Sequence, residues 1–395
     1  MKKLLFALAA TIILASCTDF GADTLPLHRV TIMYAASFNS LSSEIATDID
    51  EICASGLPSR QSGDVFLVYS HMPWKYGYYS VPTEPVLFRA WADPDGTTHR
   101  DTLITYPSSD VSSSPGVMRK VLSDVKELFP APHYGMVVSS HGLGWIPRDY
   151  HENFGFVFDS FSTGAAGTKE FCIENVDGSG ININELPDAL PMYFDFIIMD
   201  ACLMGGIETA WEIKDRCRYL MFSPTEILSN GMVYDNMAKS LTNMVNPDVK
   251  SIAKEYFDYY QSMPGVYQSA TITLLDCTRL QPLADVCRKL VSIYRDAING
   301  TNSGKVQAYF YNNLHWFFDL RDIFVQAGAT EEEIAELDDA LNYAILYTAC
   351  TEWFLSELRL ERVCGLSMYK PYANLYELND FYSTLSWNKE IGLLP

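Results

Sequence analysis

FDFIIMDACLMGGIE, residues 194–208, is the stretch whose reading decides the fold. An apolar run ends abruptly at Asp200, and the small and polar residues that follow include Cys202 and the pair Gly205-Gly206. A continuous apolar run with such an end is the pattern of a strand buried on both faces in a parallel sheet. A stretch of the same kind lies upstream: YGMVVSSHGLGW, residues 134–145, in which the run ends at His141, with Gly142 and Gly144 after it. Side chains at the carboxyl ends of neighbouring parallel strands converge on one crevice. The two stretches together predict a thiol beside an imidazole, as a cysteine nucleophile requires.

Alone, a histidine at a strand end or a buried cysteine is more often structural than catalytic. The conjunction changes the reading, because each residue ends an apolar strand and each is followed by glycines. Their spacing of 61 residues also suits a strand–loop–helix–strand excursion. His71 ends a strand too, but Pro73 and an aromatic tract follow it, so it is read as a packing residue. A thiolate attacks carbonyl carbon well, and an adjacent imidazole takes the thiol proton and later protonates the leaving amine. The tetrahedral intermediate needs donors for its oxyanion. The backbone N–H groups of Cys202 and Gly142 are the candidates.

Outward from these strands the chain reads as α/β. Val30 to Tyr34 and Asp64 to Tyr69 are strand-like, with helical spacing from Leu41 to Cys53 between them, a βαβ unit. Pro85 to Trp91 and Asp101 to Tyr106 form a hairpin pattern around the turn Asp93-Pro-Asp-Gly96. Ser112 to Gly116 starts a helix running to about Phe129. A long irregular stretch follows the histidine strand, from Ile146 to Gly180, and a helix near Asn184 to Leu190 precedes the cysteine strand. Beyond it come a helix from Glu208 to Arg216, a strand from Tyr219 to Pro224, an amphipathic helix from Asp248 to Ser262 and a strand from Ser269 to Leu275. Long helical patterns cover Leu280 to Ile298 and Glu331 to Leu360, and Val363 to Tyr369 reads as a late strand returning to the sheet.

The first residues predict an address. Lys2 and Lys3 precede an apolar run from Leu4 to Leu14, then Ala15-Ser16-Cys17. This is a secretory leader, shorter than the ~18 apolar residues that read as a membrane span. Leu14-Ala-Ser-Cys17 resembles a bacterial lipoprotein box, in which cleavage leaves Cys17 as the lipidated first residue; a plain signal peptide with an incidental cysteine is the alternative. The expected division is leader 1–17, tether 18–28, catalytic core 29–245 and a helical C-terminal region 246–395 with strands returning to the core sheet. The chain is expected to be exported and lipid-anchored to the bacterial cell envelope, and monomeric.

With 28 basic against 49 acidic residues, a formal net charge of −21, the chain is a poor partner for nucleic acid or anionic lipid headgroups. No cysteine lies in a CxxC or CxxH pair, so no metal site is expected. A Cys277–Cys287 bridge is conceivable from spacing alone. Asp177-Gly-Ser-Gly180 lacks the alternating oxygen ligands of a calcium loop and is read as a glycine-rich turn.

At these residues the chain resembles the clostripain family of cysteine peptidases, relatives of caspases, gingipains and legumains. The resemblance rests on the His-Gly and Asp-Ala-Cys motifs in this order and on their flanks. These are Phe129–Tyr134, Ile183–Leu186, Glu208–Trp211, Ser269–Asp276, Asp319–Asp322 and Gly365–Pro371. It implies a caspase-like, mostly parallel sheet flanked by helices, with His141 and Cys202 as the catalytic dyad and protein or peptide substrates. It also implies that Asp200 helps form a primary pocket that in much of the family accepts Arg or Lys, although Asp200 also suits a plain hydrogen-bonding turn. In Pro224–Gly231, typical members carry an Asp just before the glycine, where this chain has Asn230. That change removes a charge meant for a guanidinium and puts strict arginine preference in doubt, with Glu226 and Asp200 as compensating carboxylates. Many members cut themselves between the two strands, and Lys169 and Arg148 lie in that stretch, Lys169 being the better target; an ordinary solvated lysine is the alternative. No cofactor is required on this reading. Calcium, which stimulates parts of the family, is kept as the minor alternative, weakly supported because no clear acidic ligand cluster stands in the sequence. A catalytically silent surface protein that binds peptides or glycans, and a thiol-dependent acyl transferase, are the competing functions.

Overall fold

In the computed structural model, five parallel strands form the centre of a sheet, and an antiparallel pair closes each edge. The structure describes residues 26–395 apart from 55, 77–78, 149, 151–179, 243–245 and 311–315. The leader, Cys17, Lys169 and residues 177–179 therefore lie outside the described residues. In chain order the sheet strands are β1 Arg29–Ala36, β2 Asp64–His71, β3 Val86–Ala92, β4 Thr98–Thr105, β5 His133–Ser139, β6 Phe194–Asp200, β7 Cys217–Phe222, β8 Thr271–Asp276 and β9 Ile345–Cys350. Their spatial order is β9-β8-β7-β6-β5-β1-β2-β3-β4. The block β7-β6-β5-β1-β2 is parallel, while β2-β3, β3-β4, β7-β8 and β8-β9 are antiparallel.

The central strands read as they pack. All eight residues of β1 and of β2 are buried, as expected for strands covered on both faces. In the β5–β6 pair, Gly135 stands opposite Phe196, and a Cβ at Gly135 would lie 2.0 Å from the ring's Cζ. The glycine makes room for the phenyl group. The helices used below are α1 Ser42–Ile52, α2 Pro115–Leu128, α3 Ile207–Ile213, α4 Val249–Ser262, α5 Leu280–Gly300, α6 Leu320–Ala327, α7 Glu331–Ala344, α8 Tyr376–Thr384 and α9 Ser386–Ile391. Ser114 caps α2, accepting from the Val117 N–H with Pro115 at the first turn, so the Ser-Pro-Gly signal starts the helix as read. α5 packs on α6, α7 and α9, and α4 packs on β8.

Two expectations are corrected. The helical pattern from Glu331 to Leu360 is a helix only to Ala344; Ile345–Cys350 is β9, the edge strand beside β8. The strand expected at Val363 to Tyr369 is two residues long, Ser367–Met368, and pairs with Phe318–Asp319 rather than with the main sheet. Its Ser367 also bridges Gly206, just beyond Cys202. The strands that return to the sheet from the C-terminal region are β8 and β9. Cys277 and Cys287 are unbridged, and the Cys277 sulfur instead lies 3.7 Å from that of Cys217.

Candidate active site

His141 and Cys202 each stand two residues beyond the carboxyl end of a central strand, β5 and β6, which are hydrogen-bonded neighbours with Ser139 opposite Asp200. The two loops then interlock. A Cβ at Gly142 would lie 2.4 Å from the Cys202 carbonyl oxygen and 3.1 Å from its nitrogen. One at Gly144 would lie 2.5 Å from the Leu203 oxygen. Only hydrogen atoms fit at these positions, so the glycines after the histidine let its loop lie against the cysteine loop.

The cysteine loop is held under backbone strain. Leu203, immediately after Cys202, has φ +61°, a left-handed conformation costly for a residue with a side chain. Hydrogen bonds from Leu203 N–H to Thr225 O (2.9 Å) and from Gly205 N–H to Ser223 O (2.7 Å) fix it. Cys202 is 1% exposed, and its Sγ accepts a hydrogen bond from the Ile227 N–H at 3.2 Å. The Ile227 carbonyl, 3.6 Å from the sulfur, is the acceptor for the S–H when the proton is present.

His141 is buried, and its Nε2 is hydrogen-bonded to Ser40 Oγ at 3.0 Å. The residue before it, Ser140, donates to the Ala36 carbonyl at the end of β1. The expected pocket residues lie at different depths. Asp200 has no exposure, and its Oδ2 accepts from Tyr234 Oη (2.5 Å) and Ser139 Oγ (3.1 Å). Glu226 is buried in the same segment as Ile227, and Asn230 is on the surface. Burial, followed by the Asp200 charge, pushes the Tyr234 phenol up, so the tyrosine stays a donor to that carboxylate. Arg148 pairs with both oxygens of Glu185 and donates to the Gly180 carbonyl. His71 packs as expected, stacked on Phe38 with Nδ1 at Ser112 Oγ.

A layer from the C-terminal region supports both loops. Trp145 packs against Tyr369 with the ring planes tilted by 44°, and Tyr382 is edge-on to it. Glu208, in the first turn of α3, accepts from Tyr369 N–H and Tyr382 Oη. Sequence reading missed Ser40, Tyr234 and this layer. The signals available were the Glu208–Trp211 and Gly365–Pro371 motifs and the Trp145 that ends the histidine stretch, since Glu208, Tyr369 and Trp145 belong to the layer.

A model of the clostripain family, Peptidase C11, matches residues 33–392. The chain belongs to the clostripain family. This clostripain-like cysteine peptidase, a hydrolase, is also similar to solved structures. The X-ray structure of an inactive zymogen C11 protease from Parabacteroides distasonis is 28% identical with a TM-score of 0.77, covering 93% of this chain and 99% of that one. The X-ray structure of a secreted C11 cysteine protease from Bacteroides thetaiotaomicron, iotapain, shares the fold at 21% identity and a TM-score of 0.75, over 93% and 99% of the two chains. A secreted C11 cysteine protease from the same organism, in complex with an irreversible peptide inhibitor, shares it at 23% and 0.73, over 92% and 98%. No curated protein matches the clostripain-like chain. Among its described residues no cluster of metal-ligating side chains is found, and no helix is long and apolar enough to cross a membrane.

Proposed function

We propose that the protein is an exported cysteine endopeptidase in which Cys202 is the nucleophile and His141 its base. The observation that carries this reading is the interlock of the two loops, with Gly142 hard against the Cys202 backbone. In the reaction the Cys202 thiol gives its proton to His141, and the sulfur bonds to the scissile carbonyl carbon. The resulting oxyanion is held by the N–H groups of Cys202 and Gly142, each worth roughly 3–4 kcal/mol in the transition state. His141 returns the proton to the leaving amine as the C–N bond breaks. Water, deprotonated by His141, then hydrolyses the thioester and releases the acid and the free thiol.

Peptides with Arg or Lys at the cleaved position are the first-ranked substrates, recognised by Asp200 with Glu226 and Asn230 nearby in sequence. Because Tyr234 already donates to Asp200, a cationic side chain has to share that carboxylate with the phenol. Of the two self-cleavage candidates, Arg148 is tied down by Glu185 and Gly180, and a scissile residue must be free to extend. Lys169 is therefore the favoured position. Export and lipidation at Cys17 rest on the leader sequence.

The test combines alkylation with hydrolysis. Iodoacetamide is expected to label Cys202 rapidly in the parent and slowly in His141→Ala. Both His141→Ala and Cys202→Ala should lose on the order of 10³-fold or more in kcat on fluorogenic peptides. Hydrolysis surviving in Cys202→Ala would overturn the dyad, and equal rates on neutral and basic peptides would overturn the pocket assignment.

A further inference from the structure

We infer that Ser40 is a positioning residue for His141, a third member of the site. The inference rests on the dyad reading above and deepens it. A base that works on a thiol needs its second nitrogen held, so that the ring presents the other one in the correct tautomer. Here the held nitrogen is Nε2, 3.0 Å from Ser40 Oγ. On this inference the proton exchange with Cys202 falls to the other ring nitrogen, Nδ1.

The fold makes this contact deliberate. The strands β6, β5 and β1 lie side by side, and the loops at their carboxyl ends carry Cys202, His141 and Ser40 in that order. Ser40 itself is exposed, yet the turn that carries it is clamped. Asn39 Nδ2 donates to the Ala36 carbonyl (2.9 Å), and Asn39 Oδ1 accepts from the Leu41 N–H (2.9 Å). Ser37 Oγ donates to the His71 carbonyl at 2.7 Å. The Ala36 carbonyl also accepts from Ser140 Oγ at 3.0 Å, so one oxygen staples the serine turn to the residue before His141. An exposed serine gains little stability from one neutral contact, since water would serve its hydroxyl equally well. The contact fixes the ring instead.

The experiment compares the parent with Ser40→Ala and Ser40→Thr. It reads kcat and KM on a fluorogenic peptide, the pH profile of Cys202 alkylation, and the thermal midpoint. Ser40→Ala should lower kcat roughly tenfold, the scale of one neutral hydrogen bond, with KM and thermal midpoint unchanged and a displaced alkylation profile. Ser40→Thr, which keeps the hydroxyl, should restore most of the rate. A Ser40→Ala enzyme with the parent's kcat and alkylation profile overturns the role, and so does an equal loss in both variants. The dyad fails separately: if His141→Ala alkylates at the parent's rate, that reading falls and Ser40 with it.

Discussion

Glu208 shows what one buried side chain does to the pH behaviour of this fold. It has no solvent exposure, its Oε1 accepts from Tyr369 N–H and Tyr382 Oη, and its Oε2 finds no hydrogen-bond partner among the described residues. Burial pushes its carboxyl up from 4.5 to about 7. A folded-state pKa raised in this way contributes stability that is complete below the unfolded value and lost as pH rises through the folded one. Between about pH 4.5 and pH 7 the parent should therefore lose about 3 kcal/mol that Glu208→Gln does not lose. Thermal melts of both proteins across that window check it, and parallel curves would sink it. At this scale Cys202 and His141 were legible because a reactive side chain ended an apolar run. Ser40 was not, since Ser37-Phe-Asn-Ser40 reads like any turn and its partner lies 101 residues away. The strain at Leu203 was equally silent, because nothing in Cys-Leu-Met marks a left-handed residue.

The pairing of β5 with β6 is the element that brings the two loops together, and Gly142 is its most constrained point. Gly142→Ala puts a Cβ within 2.4 Å of the Cys202 carbonyl, so one loop must move. A shift of about 1 Å costs on the order of 10²-fold in rate, and kcat should fall by about that factor. The control is Gly116→Ala in α2, where a Cβ meets nothing within 4 Å, and it should leave kcat unchanged. Steady-state kinetics on both variants decide, and an active Gly142→Ala would mean the loops are not tightly coupled. The stretch from Glu331 to Leu360 teaches a different lesson. No glycine or proline interrupts it, so helix and strand read as one pattern. The capping box of Thr330 and Glu333 starts α7, but its end is set by β8, which takes Ile345–Cys350 into the sheet.

At the scale of the whole molecule, the C-terminal region is built into the fold around the candidate site. It supplies β8 and β9 to the sheet, and Tyr369 and Tyr382 to the layer under Trp145. Its helices α8 and α9 were not visible as separate elements in the sequence, because short amphipathic segments near a chain end carry little periodicity. The address belongs to this scale too. If Cys17 is lipidated, full-length protein expressed in bacteria should incorporate labelled palmitate and partition with membranes. Cys17→Ser should lose both while its peptidase activity is kept. A Cys17→Ser protein that still partitions with membranes would overturn the anchor.

The residue order alone determined the parallel core, the two reactive strand ends and the family, because burial on both faces leaves a continuous apolar signature within each segment. Only the tertiary structure decided which segments lie side by side. It set β1 next to β5, and so Ser40 on His141; it captured β9 at the edge and enclosed Asp200 under Tyr234. Periodicity reports the environment of a segment, whereas partners are chosen by hydrogen bonding and packing between stretches far apart in the chain.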